Sequence, residues 1–187
     1  MKFLIGSSAI AVLAIVLPSA AGAAGITYDC DTAADHFSEL LLPAPAAPFT
    51  VTGTVQLNAM AASSKYTPIA RIQVAAAAAS GQSPSAFAGF ALSALPTDPS
   101  KNPSGASALQ MLSYNVTGKD DEVLPLSMMA KPGTIQPFRL SYDGSNVTVS
   151  LGTDVRSLPL RTGSPVVRVI CSTGEFLLTN LQIQASG

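Results

Sequence analysis

The chain of 187 residues has no tryptophan, one histidine, two cysteines and few charges, with only 11% Asp, Glu, Lys and Arg. Each shortage excludes a class of function. The net charge is -1 and the basic residues are scattered. Without a basic patch there is no electrostatic footprint for nucleic acid. No polybasic or amphipathic segment is present to lie on a membrane surface. No glycine-rich phosphate loop or dinucleotide fingerprint occurs, and no G-x-S-x-G elbow carries a nucleophilic serine. One histidine and two cysteines cannot make an ordinary zinc site. The sequence therefore calls for no metal and no cofactor.

The N-terminus has the parts of a secretory signal peptide. Lys2 supplies a minimal positive region, residues 3–17 form an almost continuous apolar run, Pro18 breaks it, and Ala21-Gly22-Ala23 offers an A-x-A cleavage site. A membrane anchor is the competing reading, but a spanning helix needs roughly 20 apolar residues, and no basic stop-transfer cluster follows. The expectation is a leader over 1–23 and a single domain over 24–187, long enough for a real core. The mean hydropathy of +0.38 is inflated by the leader. The mature chain should be exported, to the periplasm or the medium, with no membrane span.

Export delivers Cys30 and Cys171 to an oxidising compartment, where an even count favours a bridge. A link over so long a loop constrains the unfolded chain by roughly 4–5 kcal/mol in the entropy model. It would also make the first and next-to-last structural segments neighbours.

Most of the mature chain alternates with period two, the mark of half-buried strands. Residues 49–57 place Phe49, Val51, Val55 and Leu57 on one face and threonines and Gln56 on the other. Residues 68–76 set Ala70, Ile72 and Val74 against Arg71 and Gln73. Further strands are expected over 86–95, 107–116 (with Leu112, Tyr114 and Val116 aligned), 138–142, 147–151, 166–171 and 175–183. The alanine run at 75–79 reads as a strand end entering a loop. Residues 32–42 fit either a short helix capped by Thr32 with Asp35 at capping-box spacing or a first strand through His36 to Leu40. Pro43 to Pro48 and Pro96 to Gly105 read as loops, and Lys119-Asp120-Asp121-Glu122 as a charged tip. Eight or nine short strands with such punctuation predict an all-β, antiparallel two-sheet sandwich of jelly-roll type.

The stretch PFRLSYDGSNVTVSLG, residues 137–152, is a hairpin in this reading. Asp143-Gly144 is a strong turn signal, because glycine accepts positive φ and Asp bonds its own backbone. A calcium site would need about six to eight oxygens, more than Asp143 and Asn146 supply.

Four segments taken in order carry a resemblance. They are FTVTGTVQL at 49–57, PIARIQV at 68–74, the hairpin at 137–152, and VICSTGEFLLTNLQI at 169–183. Together they resemble concanavalin A-like jelly-roll domains, the fold of legume lectins, laminin G modules and many glycan-active proteins. The resemblance implies that fold and a leaning toward glycans, and it carries over no functional residue. Two family features are missing. Sugar sites often offer an aromatic face, and without tryptophan only Tyr28, Tyr66, Tyr114 and Tyr142 combine a ring with a polar end. The E-x-D-x-x-E strand of the related beta-glucanases is absent.

Catalytic constellations are thin. Glycoside hydrolysis usually needs two carboxylates, roughly 5 or 6.5–9.5 Å apart. Asp120, Asp121 and Glu122 crowd one polar tip, and Glu175 opens a strand as an exposed hairpin residue. His36, next to Asp35, is the sole histidine base, and a surface role accounts for it. Asn115 and Asn146 head N-x-T sequons, which matter only in a cell that glycosylates secreted asparagines. A different group is more specific. Arg71, Gln73, Gln110, Arg139 and Arg168 all sit within strand patterns, opposite the apolar rows. Sharing one face, they would bind hydroxyls or a carboxylate; as an ordinary solvated face, they would not. The leading expectation is an exported, non-catalytic, carbohydrate-binding protein with a glycan or envelope partner. The alternatives are a structural or adhesive surface component and a glycan-active hydrolase.

Overall fold

The computed structural model describes residues 25–63, 65–79, 82–94, 109–116 and 122–186. The expected leader at 1–23, the loop at 96–105 and Lys119 to Asp121 lie outside them. All regular structure among the described residues is strand. There are twelve: β1 Ile26–Asp31, β2 Phe37–Pro43, β3 Phe49–Met60, β4 Ile69–Ala76, β5 Phe87–Ala94, β6 Leu109–Val116, β7 Glu122–Ala130, β8 Gln136–Tyr142, β9 Asn146–Leu151, β10 Asp154–Pro159, β11 Pro165–Ser172 and β12 Gly174–Ala185. They form two six-stranded sheets, ordered β1-β12-β3-β8-β9-β10 and β2-β11-β4-β5-β6-β7. Every pairing is antiparallel.

Alternation does what it should at the centre of each sheet. Val51, Val55 and Leu57 of β3, Leu140 of β8 and Val147 and Val149 of β9 are buried. From the second sheet Ile72, Val74, Phe90, Leu92, Val167 and Val169 meet them in one core. Phe90 and Phe138 join the sheets directly, with ring centroids 5.1 Å apart. Burying such side chains on both inner faces is the main stabilising term of a sandwich.

Three strands, β1, β7 and β10, were not expected, and β2 was expected only as one of two options. These four are the four sheet edges. An edge strand has a neighbour on one side only, so its pattern is weakly constrained and tolerates proline. Pro125 falls within β7 and Pro43 ends β2. The helical option at 32–42 does not form. Thr32 instead exchanges two hydrogen bonds with the backbone of Gly174, donating at 2.9 Å and accepting at 3.1 Å, and Asp35 turns the chain with φ 63°.

Tyr114, which the sequence aligns with Leu112 and Val116, is on the face opposite to the core. Ser113 and Asn115 pair with Phe90 and Ala88, which face the sandwich interior, and Tyr114 pairs with Gly89 on the outer alternation. Cys30 and Cys171 are bonded, with Cα atoms 6.4 Å apart. The bridge ties β1 of the first sheet to β11 of the second, first strand to next-to-last. It sits at the corner where the chain crosses between sheets through the buried Thr173.

The DGSN segment is the β8–β9 turn. Asp143 accepts the N–H groups of Ser145 and Asn146, both at 2.7 Å, and Gly144 takes φ 98°. These bonds hold the Asp143 carboxyl below the usual range, the Ser145 bond first.

Candidate functional site

The outer face of the second sheet collects most of the strand-borne polar residues. Register builds it row by row. Arg168 of β11 pairs with Gln73 of β4 on one side and Leu41 of β2 on the other. Gln73 pairs with Gly89 of β5, and Gly89 with Tyr114 of β6. Five strands thus place Leu41, Arg168, Gln73, Gly89 and Tyr114 in one line across the sheet. Arg71 lies in the next row, opposite Ala91 and Ile170.

Gly89 is the element that makes the row work. A Cβ there would stand 2.1 Å from the Ile72 carbonyl oxygen and 2.6 Å from Gln73 Cα. Its missing side chain lets the β4 backbone approach this closely and leaves nothing standing between Gln73 and Tyr114. Across Gly89 the Tyr114 hydroxyl donates to Gln73 Oε1 at 2.5 Å, although the two strands are not adjacent. Phe87 packs edge-on against the Tyr114 ring at 5.8 Å, and the Arg71 guanidinium lies 5.7 Å from the centre of that ring, within cation–π range.

The electrostatics follow from this packing. Burial pushes the Tyr114 phenol up, well beyond its ordinary value, and the charges of Arg71 and Arg168 offset only part of that push. The hydroxyl is therefore neutral and a donor. Gln73 is 1% exposed, and its Nε2 has no hydrogen-bond partner. A buried amide donor left unpaired costs roughly 1–3 kcal/mol, so this position calls for an explanation beyond packing. Arg71 is exposed and makes no ion pair with any described carboxylate. Arg168 is 13% exposed and is held by Glu39 of β2, Nε to Oε1 at 2.5 Å.

A cleft of about 360 Å³ opens on the same face, between β2, β11 and the alanine-rich segment after β4. Phe37, Leu41, Pro84 and Val166 give it apolar walls, and the Arg168–Glu39 pair lines it as well.

The sequence-predicted residues separate accordingly. Arg71, Gln73 and Arg168 come together. Gln110 is in β6, its backbone paired with that of Ser93, and its side chain is outside the described residues. Arg139 is on the outer face of the other sheet, bonded to Ser141 at 3.2 Å and to Thr50 at 3.4 Å, and has no part in this row. Glu175 accepts from Asn58 at 2.9 Å on the first sheet. Asp120 and Asp121 are outside the described residues, and Glu122 opens β7. His36 is exposed, its ring nitrogen 2.8 Å from the Ala34 carbonyl. Asn115 is buried at 1%. Among the described residues no group of His, Cys, Asp and Glu is placed to hold a metal, and no helix is long and apolar enough to cross a membrane.

Tyr114, Glu39 and Phe37 were not among the predicted group. The signal for Tyr114 was a polar-tipped ring in phase with a mid-strand glycine on the preceding strand, which means nothing until the register is known.

No protein-family model matches the sequence, and no curated protein matches it. Solved structures match in shape. An alginate lyase from Alteromonas sp. 272 superposes with a TM-score of 0.56 at 10% identity, over 84% of this chain and 86% of that one. The polysaccharide lyase family 18 protein aly-SJ02 gives 0.55 at 11% identity, over 88% and 89%. The carbohydrate recognition domain of Emp47p gives 0.50 at 13%, over 86% and 89%. At such identities the likeness is one of architecture. The chain has the concanavalin A-like sandwich fold.

Proposed function

We propose that this protein is an exported, non-catalytic carbohydrate-binding protein that takes a carboxylate-bearing glycan on the outer face of the second sheet. The observation that carries the reading is the donor row itself. Arg71 is exposed and has no carboxylate partner among the described residues, and beneath it the Tyr114 hydroxyl gives its one proton to Gln73 Oε1 while the buried Gln73 Nε2 stays unpaired. Tyr114 has no second proton to offer, so the donors facing a ligand are those of the exposed Arg71 guanidinium, and Arg168 places a second guanidinium on the same face. A carboxylate supplies the acceptors and the charge that such a row lacks, and arginine recognises it with a planar fork. Neighbours of the same fold include two polysaccharide lyases, one named for alginate, and a carbohydrate recognition domain, which supports a glycan over other acids.

Binding accounts for the groups better than catalysis does. A buried phenol with a raised pKa is a poor base at neutral pH. Glu39, the carboxylate of the cleft, is engaged by Arg168. The leader pattern and the Cys30–Cys171 bridge support export.

The test is a polysaccharide array followed by titration calorimetry on the oxidised protein, with Arg71→Ala alongside. Saturable binding of uronate-containing polymers, weakened in Arg71→Ala, is expected. Failure of a cooperatively melting protein to bind any acidic glycan overturns the reading. Release of new chain ends during incubation overturns its non-catalytic part. The mass of the exported protein checks the leader, with Ala24 expected as the first residue.

A further inference from the structure

We propose that the cleft at the β2 edge holds a neutral sugar ring, so that the glycan read by this face alternates neutral and carboxylate-bearing residues. The inference rests on the glycan reading above and adds the composition of the ligand.

Phe37 and Leu41 point outward from an edge strand and are 72% and 59% exposed. Both line the cleft, whose volume of about 360 Å³ falls in the range of roughly 300–1,000 Å³ typical of small-ligand pockets. An exposed aromatic ring beside a fixed polar pair matches the two sides of a pyranose. Such a ring has an apolar C–H face and a rim of hydroxyls. Phe37 and Leu41 suit the face. The Arg168–Glu39 pair suits the rim.

The pair is only partly used. Arg168 bonds through Nε and Glu39 through Oε1. The two terminal amines of Arg168 and the second oxygen of Glu39 make no hydrogen bond to the described residues. They leave donors and an acceptor side by side, the arrangement that neighbouring hydroxyls satisfy. The same Glu39 oxygen repels a carboxylate entering the cleft. An acidic sugar is therefore directed to the exposed Arg71, and a neutral one to the cleft.

Arg168 connects the two places. It stands in register with Leu41 of β2 and with Gln73 of β4. Two strand spacings separate those residues, about 9–10 Å, a span that adjoining sugar rings can cover.

The experiment titrates the oxidised protein with oligosaccharides of hyaluronan and heparosan, in which N-acetylhexosamine alternates with uronate. Oligogalacturonate, which is all uronate, and dextran, which is neutral, are run beside them. The alternating ligands should bind at least roughly tenfold more tightly than oligogalacturonate. Phe37→Ala should weaken the alternating ligands by roughly tenfold and leave oligogalacturonate unchanged, and Glu39→Gln should weaken the alternating ligands by roughly tenfold without weakening oligogalacturonate. Arg71→Ala should weaken both. Thermal melts should be unaltered in Phe37→Ala, because that side chain is largely in water.

Binding that depends on Arg71 but is indifferent to Phe37→Ala and Glu39→Gln overturns the cleft inference and keeps the acidic-glycan reading. Equal affinity for oligogalacturonate and the alternating ligands does the same. Dextran binding that requires Phe37 but not Arg71 keeps the cleft as a sugar site and overturns the alternating composition with the acidic reading. Binding of none of the four overturns both.

Discussion

The Tyr114–Gln73 bond can be tested by removing each partner alone and then both. In Tyr114→Phe the ring and its contact with Phe87 remain, and only the hydroxyl is lost. Gln73, 1% exposed and already carrying an unpaired Nε2, is then left with its Oε1 unpaired too. That loss should cost roughly 1–3 kcal/mol of folding stability. Gln73→Met leaves an unpaired hydroxyl on Tyr114, which at 8% exposure is nearer to water, and it also removes the orphaned donor. Its cost should be smaller, about 1 kcal/mol or less. In the double variant both polar groups are gone from a site of nearly unchanged shape, and stability should return to within about 1 kcal/mol of the starting protein. The coupling is read from urea unfolding followed by far-UV circular dichroism, with the denaturant slope unchanged across the set. If the single effects add within about 0.5 kcal/mol, the two side chains are not bonded in solution, and the donor row is not organised as described.

Other perturbations have equally definite outcomes. Gly89→Ala places a methyl group against the Ile72 carbonyl and Gln73 Cα, so β4 and β5 must part. A loss of roughly 1–3 kcal/mol is expected, measured by denaturant melts, together with weaker binding of acidic glycans. Replacing Cys30 and Cys171 by alanine removes a link that spans a sequence separation of 141, and should cost roughly 4–5 kcal/mol; an unchanged melting temperature refutes that. Because burial raises the Tyr114 pKa in the folded state, its contribution to stability is complete below about pH 10 and is lost as pH rises beyond that value. The alkaline decline should be flatter in Tyr114→Phe. Asp143 has the opposite sign. Its depressed pKa gives a contribution that is present above the ordinary carboxylate range and is lost as pH falls through the folded value. Asp143→Asn should therefore flatten the acid limb of a pH–stability curve.

How much of this was legible beforehand depended on the range of the interactions involved. Period-two alternation identified β3, β4, β5, β8, β9, β11 and β12, because a strand at the centre of a sheet has one face against the core and shows it locally. The β8–β9 turn was legible for the same reason: Asp143 and Gly144 meet their requirements within four residues. The edge strands were missed or left ambiguous, because solvent on one side relaxes the pattern.

For the candidate site, alternation separated Arg71 and Gln73 from Ile72 and Val74, and Arg168 from Val167 and Val169. Local pattern was enough for an all-β sandwich, the inner and outer residues of its central strands, and a pair of cysteines fit to bridge. Which outer residues meet emerged only from the folded sheets. The fold put Arg139 on the other sheet, brought Arg168 beside Gln73, let Tyr114 reach across Gly89, and placed Phe37 and Glu39 over a cleft. The physical reason is that a strand's pattern specifies two faces but not its neighbours. Pairing between strands far apart in the chain is set by how the whole core closes, and a shift of one residue in register would have turned every one of those side chains to the opposite face.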